Sequence, residues 1–225
     1  MMLRIFAMNV TEKDFTAESF RSCLSESRRN EAKRLRREKD RQLFLGAEAL
    51  LNRSLEMIGA PVCLPAVYTR NRYGKPYLDK TSGIYANWSH SGSFVICALS
   101  DQEVGIDLQN ICKEPGSALV HRVLQPEEQI YYDQTPKERQ KQLFYSYWTV
   151  KESFLKALGT GFGTSLDRFY VRIEGDYPEI IRRDGGARYT CQLLDFMEKD
   201  YMAAVCVEGE HAEARMRSEI VMISL

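Results

Sequence analysis

Apolar positions along the chain fall into alternating or three-to-four-residue patterns that sketch an architecture. Residues 3–10 read as a strand and 16–24 as a short helix. The polar run SRRNEAKRLRREKDRQ leads into LFLGAEALLNRSLEMIG, where Leu43, Ala47, Leu50, Leu51, Leu55 and Ile58 recur at helical spacing until Gly59 and Pro61 stop the element. A strand near 65–70 and a turn at Arg72-Tyr73-Gly74-Lys75-Pro76 follow. SFVICALS (93–100) and EVGIDLQ (103–109) flank Asp101-Gln102, which predicts a hairpin. Pro126-Glu127-Glu128 opens a helix. The clearest helix covers 135–158, with Thr135 as N-cap, Pro136 at the first helical position, Glu138 completing a capping box and Gly159 closing the end. Strands are predicted again at 168–174, 188–195 and 200–207. Helices interspersed with adjacent strand pairs predict an α+β fold.

Composition adds little to this. With 31 basic and 31 acidic residues in 225, net charge names no partner, and 44% hydrophobic content is that of a globular protein. The six cysteines include no C-x-x-C pair, and several sit in apolar runs, which predicts buried free thiols in a reducing cytoplasm. His90, His121 and His211 are isolated, so no zinc motif is present. No signal-peptide core or membrane-length apolar stretch occurs, and a cytoplasmic location without membrane contact is expected.

Charged residues in awkward places carry the chemistry. On strand 103–109, Val104, Ile106 and Leu108 point to one face, and Gly105, Asp107 and Gln109 to the other. On helix 135–158 the apolar stripe runs through Leu143, Phe144, Tyr147, Trp148, Leu155 and Leu158. Lys151 and Glu152 interrupt or border it, with Lys156 one turn beyond Glu152. Such charges are costly unless paired or metal-bound, so they mark either a structural Lys–Glu pair or a site. In the second case Asp107 and Glu152 would offer oxygen ligands to Mg²⁺, which shares itself with substrate phosphates.

Residues 28–41 hold eight cations: Arg28, Arg29, Lys33, Arg34, Arg36, Arg37, Lys39 and Arg41. A solvated helical face, a surface for nucleic acid or an acidic partner, and a seat for an anionic cofactor all fit them. Lys75 and Ser89-His90-Ser91 are suited to phosphate or base contacts. Gly159-Thr160-Gly161-Phe162-Gly163 follows a helix and lacks the closing Gly-Lys-Ser/Thr, so it is no P-loop, and no G-x-S-x-G elbow occurs.

In order, Tyr73-Gly74-Lys75-Pro76, Asn87-Trp88-Ser89-His90-Ser91, Gly105-Ile106-Asp107-Leu108 and Trp148-Thr149-Val150-Lys151-Glu152-Ser153-Phe154-Leu155-Lys156 resemble the 4′-phosphopantetheinyl transferases of the surfactin-synthetase-activating type. The resemblance spans about residues 70–170. It implies a pseudo-twofold monomer of two similar α+β halves, 1–102 and 103–225, with coenzyme A and Mg²⁺ in the cleft between them. It implies metal ligation by Asp107 and Glu152, with Gln109 where many members carry a second acid, and Glu152 as base with Lys156 near the pyrophosphate. Lys75, Ser89 and His90 match its coenzyme A-binding positions, and Arg41 is the expected partner of the 3′-phosphate. The implied partner is an apo acyl or peptidyl carrier protein, docking on an apolar patch of Ile111, Ala118, Leu119, Val120 and Val123. The competing expectation is a non-catalytic protein that binds nucleic acid or an acidic partner through 28–41.

Overall fold

The computed structural model describes residues 2–11, 13–15, 17–210 and 219–223. Strand β1 (Leu3–Asn9) precedes helices α1 (Glu26–Ala32) and α2 (Glu38–Met57), a small hairpin of β2 (Tyr68–Arg70) and β3 (Pro76–Leu78), and strands β4 (Tyr85–Ser91) and β5 (Phe94–Ser100). A second unit repeats that order. Strand β6 (Val104–Asn110) leads through α3 (Ser117–Val123) to α4 (Pro126–Gln134) and α5 (Lys137–Leu158). The hairpin of β7 (Phe169–Arg172) and β8 (Glu179–Arg182) then precedes β9 (Tyr189–Leu194) and β10 (Tyr201–Glu208). A last strand, β11 (Ile220–Met222), returns to pair in parallel with β1.

The main sheets run β11-β1-β5-β4 and β6-β10-β9, so β1, β5 and β4 correspond to β6, β10 and β9. The fold is α+β, built twice with one topology. Apolar clusters define its layers. Leu50, Leu51 and Leu55 of α2 pack on Phe6, Met8 and Cys97 of the first sheet. Ile5 and Ile96 meet Ile106 and Val205 between the sheets. Phe144, Val150 and Phe154 of α5 pack on Ala204 and Cys206 behind the second. Phe154 is held edge-on by Phe169 and Tyr189, and a buried aromatic of this kind is worth about 1.5–3 kcal/mol of area burial.

Several expectations need correction. Residues 93–109 form no hairpin: β5 pairs with β1 and β4, while β6 pairs with β10 in the other sheet. Every residue of β5 is buried, as suits a central strand, so the turn at 101–102 carries the chain to a new layer. Helix α5 begins at Lys137 with Pro136 as its N-cap, and Thr135 instead ends α4, its hydroxyl donating to the Tyr131 carbonyl. The capping box lies earlier, where Glu128 accepts the Gln125 amide at 2.6 Å and Pro126 opens α4. Two thiols are not free: Cys191 and Cys206 face each other in register across β9 and β10 and form a disulfide. Cys23 and Cys97 are free and buried, whereas Cys63 and Cys112 are free and exposed. Among the described residues no helix is long and apolar enough to cross a membrane.

Candidate active site

The site lies where the two sheets meet edge to edge. Odd-numbered side chains of β4 point at the open edge of β6 and occupy its unpaired amides: Asn87 Oδ1 accepts from Ile106 N at 3.0 Å, and Ser91 Oγ from Asn110 N at 2.9 Å. Between them, Ser89 Oγ donates to Asp107 Oδ1 at 2.9 Å. On its other side β6 is pressed against α5 at Gly105. A Cβ there would stand 2.1 Å from the Ser153 carbonyl oxygen and 2.2 Å from Ala157 N. That approach sets the α5 side chains directly over Asp107.

Asp107 is almost fully buried and has three partners. Lys156 Nζ lies 2.6 Å from Oδ1, Ser89 shares that oxygen, and Gln109 Nε2 donates to Oδ2 at 2.7 Å. Lys156 also donates to Ser89 Oγ at 2.9 Å and the Ile106 carbonyl at 3.2 Å. Glu152, one helical turn before Lys156, is half-buried. Burial first, and then the negative charge of Asp107, hold its carboxyl above the ordinary glutamate range, with Lys156 opposing. Two acids that raise each other's cost beside a single lysine form an incompletely neutralised site.

This donor set fits a hard divalent cation. Asp107 and Glu152 supply carboxylate oxygens, and the amide of Gln109 adds a neutral oxygen whose NH₂ already orients Asp107. Among the described residues no group of three or more His, Cys, Asp or Glu gathers anywhere, so oxygens from a substrate and water would complete the shell.

Other anticipated residues are placed differently. Lys75 lines a cavity beside Lys156, but its ammonium is engaged by the protein, pairing with Glu103 and donating to the Ala157 carbonyl at 2.7 Å. Burial pushes its pKa below the ordinary lysine value. With the Asn71 amide donating to the Gly159 carbonyl at 2.7 Å, Lys75 clamps the β2–β3 hairpin onto the end of α5. Gly159 serves this clamp twice, adopting the left-handed φ of 68° that ends α5 and leaving room for the Lys75 stem. Arg41 is bound to Glu38 and to the Leu35 carbonyl and lines, with Arg29 and Lys33, a separate cavity of about 460 Å³.

The basic segment is not one continuous face, because the break between α1 and α2 splits it and Arg28, Lys33 and Arg41 are engaged locally. Arg28 is buried, stacks over the Phe44 ring and donates to the Phe44 carbonyl, and its charge acts on His90. Packing, then Lys156 and Arg28, hold the His90 imidazole below the usual histidine range. Of the anticipated docking patch, Ile111, Val120 and Val123 are buried in the core, whereas Ala118 is exposed and Leu119 half-buried. Lys151, directly before Glu152, pairs with Glu128.

Beside Lys156 lies a cavity of about 220 Å³, walled by Arg70, Gly74, Lys75 and Trp88 of the first unit and by Leu155, Gly159 and Gly161 of the second. The molecule is thus an α+β protein of two like-built units, with a cavity between them lined by Lys156, which pairs with buried Asp107.

The model of the 4′-phosphopantetheinyl transferase superfamily matches residues 103–206, which contain every side chain that meets Asp107 except Ser89. A 4′-phosphopantetheinyl transferase of Bacillus subtilis is 33% identical over 136 residues, covering 60% of this chain and 59% of that one. The enzyme psf-1 of Bacillus pumilus is 28% identical over 221 residues, 94% of each chain, and Sfp of Bacillus subtilis strain 168 is 28% identical over 92% of this chain and 90% of its own. The alignments with the first of these and with gsp of Aneurinibacillus migulanus span 59% and 43% of those relatives. A solved holo-(acyl-carrier-protein) synthase of Bacillus anthracis in complex with CoA (3′,5′-ADP) is similar at 21% identity and a TM-score of 0.42, over 48% of this chain and 96% of that one. The chain is therefore similar to 4′-phosphopantetheinyl transferases, by the family model over 103–206 and by these relatives over most of its length.

Proposed function

We propose that this protein transfers the 4′-phosphopantetheine group of coenzyme A to a serine hydroxyl of an apo carrier protein, acyl or peptidyl, releasing adenosine 3′,5′-bisphosphate. The observation that carries this is the convergence of Ser89, Gln109 and Lys156 on buried Asp107, with Glu152 within reach of its charge. Neither unit makes that cluster alone, since Ser89 comes from the first and the other residues from the second.

Asp107 and Glu152, with Gln109 beside them, would hold Mg²⁺. When bound, the ion offsets negative charge on the pyrophosphate oxygens and needs no proton to do so. The chain's own groups do the rest. Glu152 binds a proton more readily than an ordinary glutamate, which suits it to accept the serine proton as the serine Oγ attacks the β-phosphorus. The bond from that phosphorus to the bridging oxygen breaks, and the bisphosphate leaves with the electron pair. Lys156, which the 2.6 Å contact with Asp107 aims into the cleft, compensates the charge on the departing phosphate. Arg70, on the cavity wall, suits the nucleotide phosphates as arginine forks do, and Arg28, whose charge acts on His90, would add to the same field. Both walls of the cleft come from one chain, so a monomer suffices.

The test is incubation with coenzyme A, Mg²⁺ and a panel of apo carriers, read by mass spectrometry of the carrier. Asp107→Ala and Glu152→Ala should each abolish the mass gain, whereas Gln109→Glu should keep it. Full activity in either alanine variant would remove the metal assignment.

A further inference from the structure

We propose that the buried Lys151–Glu128 ion pair is a positioning device that fixes the rotation of α5 about its axis, and so the directions of Glu152 and Lys156. This deepens the transferase function proposed above and rests on it. Lys151 Nζ lies 2.6 Å from Glu128 Oε2 and donates to the Val123 carbonyl at 2.8 Å. The Glu128 carboxylate also accepts from Gln125 N at 2.6 Å and Val171 N at 2.7 Å. Both side chains are 1% exposed. One ion pair therefore ties α5 to the end of α3, the start of α4 and strand β7.

Stability alone is a poor reason for such a pair. Taking two charges out of water costs several kcal/mol each, and apolar residues of like volume are often as good or better. What an ion pair with three further hydrogen bonds adds is direction. The Gly105 approach and the Lys75 clamp hold α5 at its C-terminal half. Phe144, Val150 and Phe154 hold it by apolar contact, which is non-directional. The ion pair adds a directional anchor on the face toward α3, α4 and β7. Glu152 follows Lys151 by one residue, about 100° further round the helix, and Lys156 lies on the Glu152 side one turn on. Side-chain ends sit about 6 Å from a helix axis, so a rotation of about 20° would move them by about 2 Å. A misplacement of about 1 Å can cost about a hundredfold in rate.

The first unit carries a related set of polar contacts, in which the acid and the cation bind separate partners, the cation donating to the Phe44 carbonyl. There the acid is Glu48, on the long helix α2, and it accepts the Ser25 amide at 3.0 Å as Glu128 accepts that of Gln125. The cation is Arg28, on the short helix α1. Ala49 follows Glu48, so those contacts orient no catalytic group. A polar lock between short and long helix is thus a feature of both units, and only in the second does the next residue perform chemistry.

The test compares the wild type with the paired variant Glu128→Met/Lys151→Met, which leaves no charge unpartnered, and with Lys151→Arg. Melting temperatures are measured with coenzyme A alone and with coenzyme A plus Mg²⁺, alongside kcat and KM. In the paired variant the shift from coenzyme A should persist and the increment from Mg²⁺ should vanish. Its kcat should fall about a hundredfold, with KM for coenzyme A within about threefold. Lys151→Arg should restore part of the Mg²⁺ increment and of kcat. A folded paired variant with wild-type increment and kcat, whatever its melting temperature, would overturn the proposal, as would a wild type with no increment. Should the double variant not fold, Glu128→Asp, which keeps the charge and shortens its reach, is judged by the same readouts. The increment is measured without a carrier, so a wild type that modifies no carrier would refute the transferase function and still leave the positioning role to be decided.

Discussion

Adding a single methyl group at Gly105 should damage the site although every catalytic side chain is chemically unchanged. Gly105 has no unusual backbone angle, so its need is for space alone. An alanine Cβ would meet the Ser153 carbonyl oxygen at 2.1 Å and Ala157 N at 2.2 Å, where ordinary contact begins at 3.4 Å. Both are backbone atoms of α5, and no side chain can swing aside to relieve the clash. Helix and strand must separate by about 1 Å, and overpacking of this order costs about 1–3 kcal/mol. For a chain of this size that lowers the melting temperature by roughly 2–12 °C. The functional loss should be larger. Lys156 and Glu152 ride on α5 while Asp107 stays on β6, so the 2.6 Å Lys156–Asp107 contact would open by about the same 1 Å, for about a hundredfold loss in kcat. The assay is Gly105→Ala against wild type, with circular dichroism and melting for the fold and carrier mass gain over time for the rate. A variant with wild-type melting and wild-type rate would show that the close approach of β6 to α5 does not set the site.

Three further outcomes follow from the same geometry. Because Glu152 sits above the ordinary glutamate value of 4.5, its ionised form is lost earlier as pH falls. The Mg²⁺-dependent melting increment should therefore decline through a pH above that value, and an increment unchanged down to the ordinary value would contradict it. Arg28→Ala should weaken coenzyme A about tenfold and dephospho-coenzyme A less, while Arg41→Ala changes both by less than about twofold; calorimetry showing the reverse would restore Arg41 to the cleft. Alkylation in denaturant without reductant should label Cys23, Cys63, Cys97 and Cys112 and spare Cys191 and Cys206, and labelling of all six would remove the disulfide.

Most main strands and the long helices were legible because period-two and helical patterns survive in them. Strand β4, whose Asn87, Ser89 and Ser91 are polar and turn toward β6, was not. The face shared by Gly105, Asp107 and Gln109 was legible, since alternation alone places them together. Pairing was not. The short link at 101–102 looks like a hairpin turn, and only the burial of β5 between two partners shows that β6 must leave the sheet. Lys75 lies in a phosphate-like motif, but nothing local reveals Glu103 or the α5 carbonyl that capture it. Arg28 and Arg41 look alike within a basic run; that the first is buried on Phe44 while the second pairs with Glu38 depends on the break between α1 and α2. The Cys191–Cys206 bridge is a matter of register across β9 and β10, invisible in a spacing of 15 residues. A buried lysine beside Glu152 suggested a Lys–Glu pair, and one exists, but its acid is Glu128 on another helix.

The central claim is that the Asp107–Glu152–Lys156 cleft moves a phosphopantetheine group, and the most direct measurement is the mass of an apo carrier after incubation with this protein, coenzyme A and Mg²⁺. The carrier should gain one phosphopantetheine on a serine, with adenosine 3′,5′-bisphosphate released in equal amount and no gain when Mg²⁺ is chelated. A folded protein that binds coenzyme A and yet leaves every carrier in a broad panel unmodified would contradict it.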